Sequence, residues 1–367
     1  MTALAANKVI KRIGDETLRE FAVEASAHIY EGAFVGIHPV TGYARPFEPC
    51  DLFAGTARNE ANNTTGAAGS LLSGATTTGV VMVEVAGLLV HALTGVSLYD
   101  VGRAVYATDD NVLSFTGHPD GFVGRVIHKD AANVAVVQLR RPFERPNAGD
   151  TGSKEQIFDG SKLITPTGAV AGPKYGQGHV LQSSLGLGVY NSVAYASLQF
   201  DAVAEIAQAS VETDAVFDIA NGITFDADLY INGIGDHAAL DFDWGLANVL
   251  DATTRADLDD GTLTKHCRFH MDGAVANILA ESDDNGTDVA AVDTTIDNDT
   301  ATSKNFIILA RKTGVCELYI EKARVLAATA FGIGSASALF AGFVNLEKIS
   351  NDTVAVARLL RMRTAGA

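Results

Sequence analysis

The stretch Ile223-Thr-Phe-Asp-Ala-Asp-Leu-Tyr-Ile231 decides the fold class. Its apolar residues fall at every second position, with Thr224, Asp226, Asp228 and Tyr230 between them. On an extended chain the first set shares one face and the second set shares the other; a helix would scatter both around its circumference. The same alternation marks Phe21-Ala-Val-Glu-Ala-Ser-Ala27, Tyr195–Phe200, Ala215–Ile219, Arg268–Met271, Phe306–Ala310 and Glu317–Ile320. Glycine and Asp-Asn signals punctuate the rest of the first half, at Glu31-Gly32, Gly36 and Asp109-Asp-Asn111. Between them lie the strand candidates Ile29–Ile37, Gly79–Leu89, Arg103–Ala107, Phe122–Ile127 and Val134–Leu139. Short strands at such spacing predict an all-β protein with a small N-terminal barrel or sandwich and a second β-sandwich behind it.

The best boundary is Arg140-Arg-Pro-Phe-Glu-Arg-Pro-Asn-Ala-Gly-Asp-Thr-Gly-Ser153, where prolines, glycines and charge interrupt the pattern. We therefore divide the 367 residues into a first module at 1–146, a Gly/Pro-rich linker with early strands at 147–192, and a second module at 193–367. Arg58–Thr78 reads as a low-complexity loop, Asp251–Gly261 and Glu281–Asp299 as long acidic loops, and Thr353–Met362 as the closing strand.

Charge narrows the function classes. The formal net charge is −17, concentrated between Asp201 and Asp299. A duplex-binding surface needs cations to displace counterions, so direct nucleic-acid binding is not expected. The most apolar run, Gly79–Leu93, is broken by Glu84, Gly87 and His91 and is too short to span a bilayer. The opening MTALAANKVIKRIG lacks an apolar segment, so synthesis and retention in the cytoplasm are the expectation. Three widely separated cysteines, Cys50, Cys267 and Cys316, read as structural thiols.

Motifs that carry catalysis are missing: the chain has no GxSxG, HExxH, P-loop or complete GxGxxG. His266 and His270 flank Cys267, but on a strand they stand about 13 Å apart, too far for one ion, so no metal or other cofactor is expected. Ser282-Asp-Asp-Asn-Gly-Thr-Asp288 has calcium-loop composition without the EF-hand spacing or closing Glu. Asp241 and Asp243 sit on one strand face, where they cannot flank a sugar as a glycosidase pair must. Trp244 beside them offers a ring for stacking on a sugar; a core position is the competing reading. The sequons at Asn63, Asn285, Asn298 and Asn351 are read as composition.

Five segments together resemble the capsid cement, or decoration, proteins of tailed bacteriophages. They are Ile29-Tyr-Glu-Gly-Ala-Phe-Val-Gly-Ile37, Gly42-Tyr-Ala-Arg-Pro-Phe47, Leu52-Phe-Ala-Gly-Thr-Ala57, Val96-Ser-Leu-Tyr-Asp-Val-Gly-Arg-Ala-Val-Tyr-Ala-Thr-Asp-Asp-Asn111 and Gly121-Phe-Val-Gly-Arg-Val126. The resemblance covers about residues 20–140 and brings no catalytic site. It implies a small β-rich unit bound, as a homotrimer, to the outer surface of an expanded shell of major capsid protein, hence a structural virion protein without enzymatic activity. More loosely, Asp241-Phe-Asp-Trp-Gly-Leu-Ala247, Cys267-Arg-Phe-His-Met-Asp-Gly273 and Asn305-Phe-Ile-Ile-Leu-Ala-Arg311 look like a concanavalin or laminin-G type jelly roll. That likeness implies an outward-projecting second module, and as the alternative function a carbohydrate-binding or adhesion protein whose partner is a surface glycan.

Overall fold

A computed structural model describes residues 11–13, 18–69, 79–139, 154–159, 178–182, 188–191, 196–199, 205–213, 215–232, 234, 240–248, 265–273, 275–297, 302–334, 338–351 and 356–366. Among them, strands and short 3-10 turns are the regular elements, and no helix is long and apolar enough to cross a membrane. The protein is all-β and divides into two compact units near Lys154/Glu155. Residues 70–78, 251–261, the sequon at Asn298 and the start of the expected closing strand lie outside the described residues.

The first unit is built on two antiparallel sheets. One runs in the order Lys11–Ile13, Gly87–Ala92, Val134–Leu139, Phe122–Ala131, Ala104–Asp109, Val112–Ser114; the other runs Leu18–Ala22, Val80–Glu84, Leu52–Ala57, Phe34–Ile37, Ala44–Pro46. Phe34, Phe47 and Phe53 pack with Leu89, Val105, Val123 and Val137 from the six-stranded sheet. A second cluster gathers Val23, Ile29, Val35, Ile37, Val81 and Val83. The segments quoted above supply Phe34–Ile37, Ala44–Pro46, Leu52–Ala57, Ala104–Asp109 and the start of Phe122–Ala131. Arg45 donates Nε to Asp51 Oδ2 at 2.9 Å and Nη2 to Oδ1 at 2.7 Å, a bidentate pair on a fully buried carboxylate. Gly55 is required because a Cβ there would lie 2.0 Å from the Glu84 carbonyl oxygen. Within the segment read as a loop, Ala61–Asn62 pairs with His28–Ile29. Asn63 is buried, and its Nδ2 donates to the carbonyls of Glu24 at 2.9 Å and Ala67 at 2.8 Å, so this sequon holds a turn together.

The second unit is a jelly-roll β-sandwich of two antiparallel sheets. The first sheet runs Gly188–Asn191, Ala196–Gln199, Val356–Gly366, Ile223–Asn232, Ser303–Ala310, Val315–Ile320, Ala323–Val325. The second runs Gly178–Gln182, Glu205–Thr213, Leu339–Asn351, Leu240–Ala247, His266–Asp272, Asn277–Asp283, Asp288–Asp297. Their apolar faces close on one core in which Ile223, Phe225, Ala227, Leu229 and Ile231 meet Phe242, Trp244, Phe269 and Phe306. Burying such aromatic and aliphatic side chains stabilises by about 1.5–3 kcal/mol each, so this core is the main source of the unit's stability.

The stretch read as a linker with early strands contains Lys154–Asp159, Gly178–Gln182 and Gly188–Asn191, all paired into the sandwich. Two features differ from the sequence expectations. Glu281–Asp299 is chiefly a hairpin: Asn277–Asp283 pairs antiparallel with Asp288–Asp297 around a turn at Asn285. Register shifts along this hairpin space its core-packed residues Val289, Val292 and Ile296 unevenly and so hide the period of two. The closing strand runs Val356–Gly366, extending past Met362 because Arg363, Thr364 and Ala365 continue the ladder with Ile223–Asn232.

Candidate functional site

Two places concentrate chemistry that the cores do not explain. In the first unit, Ser97-Leu-Tyr-Asp100 forms a 3-10 turn closed by a capping box. Asp100 Oδ2 accepts from the Ser97 backbone N–H at 2.8 Å and from its hydroxyl at 2.6 Å, while Arg103 Nη1 donates to Oδ1 at 3.0 Å. The Ser97 hydrogen bonds, joined by that of Arg103, hold the Asp100 carboxyl below its ordinary range. This pinned turn exposes three neighbouring apolar side chains: Leu98 at 67%, Tyr99 at 99% and Val101 at 54%. Tertiary packing leaves them unused, so the turn presents an aromatic and two aliphatic groups at the surface without the entropy of a loose loop.

In the second unit, the sheet face opposite the core carries a polar network. Strand register sets it: Cys267, Phe269 and Met271 enter the core, so His266, Arg268 and His270 take the other face. Asp243 stands across from His270 on one side and Asn345 on the other, and Arg268 stands across from Gly245 and Glu281. Gly245 has no side chain to obstruct the row; a Cβ there would lie 2.4 Å from the Cys267 carbonyl oxygen. The fully buried Arg268 donates Nη1 to Asp243 Oδ1 at 2.8 Å and Nε to Glu281 Oε1 at 2.5 Å, with Nη2 also against Glu281. His266 Nε2 donates to Glu281 Oε1 at 3.0 Å, and His270 Nε2 lies 3.7 Å from Oε2.

Burial pushes the Glu281 carboxyl up, but the His266 hydrogen bond and the charges of Arg268, His270 and His266 outweigh it and hold the group down at about 2. Glu281 is therefore a carboxylate throughout the neutral range, and Arg268 is neutralised from two sides. The histidines engage this carboxylate rather than forming a ligand pair of their own. Asp241, half-buried, follows Asp243 along the same face, and the two carboxylates do not oppose each other across a cleft.

Trp244 is corrected to a core residue. It is fully buried, with ring centroids 4.9 Å from Phe242, 5.9 Å from Phe269 and 4.8 Å from Phe306. Even alternation from Leu240 through Phe242 to Leu246 turns its indole inward, so its faces are covered and unavailable for stacking on a sugar. The Ser282–Asp288 segment is the hairpin turn, where Asp283 Oδ1 accepts from Asn285 N at 2.6 Å and Asp284 Oδ1 from Thr287 N at 2.6 Å. Its acidic side chains thus serve as turn acceptors.

The sequence singles out His266, His270, Asp241 and Asp243 but not the Arg268–Glu281 pair that joins them, nor the exposed turn. The Ser97-x-x-Asp100 spacing is a visible capping signal. The parity of His266, Arg268 and His270 against three core residues is visible too. Their partner Glu281 was hidden because it fell in a segment read as a loop.

No protein-family model matches the chain, and no curated protein sequence matches it. Solved structures show low similarity. The Emp46p carbohydrate recognition domain in its potassium-bound form is 12% identical, covering 51% of this chain and 88% of its own, with a TM-score of 0.38. The exoplasmic/lumenal domain of VIP36, in a Ca2+/Man-bound form, is 9% identical, covering 57% and 91%, with a TM-score of 0.34. The alginate lyase AlgAT5 of polysaccharide lyase family 7 is 13% identical, covering 49% and 81%, with a TM-score of 0.35.

Proposed function

We propose that this chain is a binding protein rather than an enzyme, and that its first unit docks on the outer surface of a tailed-phage capsid as a cement protein. The single observation that carries the proposal is the pinned turn that exposes Leu98, Tyr99 and Val101. It lies within the segments that resemble the cement family, and it is the kind of rigid aromatic anchor that concentrates binding energy at interfaces. The partner is the major capsid protein, and the shell gains strength from added contact area between its subunits, without any chemistry. Homotrimeric association belongs to the same proposal. The test is co-sedimentation of the full chain with expanded capsids lacking a decoration protein. Tyr99→Ala should weaken binding by about tenfold or more; equal binding by the variant would remove the turn from the interface.

A second reading is that the sandwich unit recognises a surface carbohydrate. The polar sheet face favours it, since carboxylates, Arg268, two imidazoles and Asn345 form a donor and acceptor set suited to sugar hydroxyls. Asp243, Arg268, His266 and His270 are each under a tenth exposed, so a glycan would first meet Asp241 and Asp272 at the rim. Glycan-array binding that Asp241→Asn abolishes would bring this reading to the front; an empty array would dismiss it.

A further inference from the structure

We infer that Cys267 and Cys316 are a disulfide-forming pair that can staple the two sheets of the sandwich to each other. Cys267 belongs to the sheet containing Leu240–Ala247, and Cys316 to the sheet containing Ser303–Ala310. Both thiols are buried in the one core that the sheets share, and both are free. The register brings them together at one edge. Cys267 stands opposite Ser282, whose Oγ accepts from Gly332 N at 3.0 Å; Phe331, the residue before it, stands opposite Cys316. The Cys316 thiol donates to the Gly314 carbonyl at 3.8 Å and lies close enough to Cys267 for the two to interact. That contact with Cys267, together with burial and the Glu317 charge, pushes the Cys316 thiol well up, so this sulfur stays protonated and slow to react at neutral pH. Cys50 belongs to the other unit and takes no part.

With hydrogen peroxide as the oxidant, one sulfur attacks the O–O bond, giving a sulfenic acid and one water. The second sulfur then displaces the hydroxyl of the sulfenic acid as the S–S bond forms, and its proton leaves with that oxygen as a second water. Two thiols are oxidised and one peroxide is reduced. The bond closes a loop of roughly 50 residues, which on a chain-entropy basis raises the melting temperature of the sandwich by something on the order of 10 °C.

The test has two arms on the full chain. In one, the native protein is treated with hydrogen peroxide; in the other, the denatured protein is refolded with oxidised glutathione. Each product is alkylated in denaturant and mapped without reductant. The expected result in at least one arm is a monomer two hydrogens lighter, one alkylated thiol at Cys50, a linked peptide joining Cys267 to Cys316, and a raised melting temperature. Cys267→Ser should abolish the linked peptide; should that variant fail to fold, the wild-type map alone decides. Three alkylated thiols in both arms, or a disulfide that includes Cys50, would overturn the pairing.

Discussion

Replacing Arg268 by Met tests the polar network most sharply. The side chain is fully buried and lies between Asp243 and Glu281, so its loss strands two carboxylates that it neutralised. Breaking a buried ion pair by removing one partner costs about 3–5 kcal/mol. Linkage gives an independent figure for Glu281. Its carboxyl falls from an ordinary 4.5 to about 2, worth roughly 3 kcal/mol at about 1.4 kcal/mol per pH unit. A group with a depressed native pKa stabilises above its unfolded value and loses that contribution as pH falls toward the native one. The window is therefore pH 4.5 down to about 2. Stability lost in the variant should thus shrink on acidification, by roughly 1 kcal/mol between pH 7 and pH 3.5. Trp244 is the only tryptophan and sits in the core of the same unit, so its fluorescence follows that unit alone through urea unfolding. A loss below about 1 kcal/mol at pH 7, or a gap that widens with acid, would refute the reasoning.

Other outcomes follow from burial and sterics. Trp244→Ala should destabilise the sandwich by about 3–5 kcal/mol, read by calorimetry, because its ring packs against three phenylalanines. Gly55→Ala should destabilise the first unit by about 3 kcal/mol or more, since its Cβ would collide with the Glu84 carbonyl on the neighbouring strand. Circular dichroism melts would register an early transition. Tyr99→Ala should leave folding stability within about 0.5 kcal/mol of wild type, because that side chain is almost wholly exposed.

The sequence is legible where one face of a strand is buried. Ile223–Ile231 and Leu240–Leu246 print the period of two because their alternate residues enter the sandwich core. It is illegible where bulges break the period: Val289, Val292 and Ile296 of Asp288–Asp297 pack against the core at uneven spacing, so the alternation is lost and Glu281 was placed in a loop. Trp244 fell among acidic residues, and composition alone made it resemble a ligand platform, although its parity with Phe242 and Leu246 already directed it inward. Leu98, Tyr99 and Val101 failed for the opposite reason. Nothing in an apolar triplet tells whether the fold will cover it, and only the pinned turn at Ser97 and Asp100 leaves these side chains outside.

The most direct test of the central claim is to image expanded tailed-phage capsids after adding the purified full chain, and to follow their resistance to heat. The account predicts ordered density on the outer surface of the shell, contacted through the turn at Leu98–Val101, with capsids that withstand higher temperature. Capsids that remain bare and melt unchanged would contradict it.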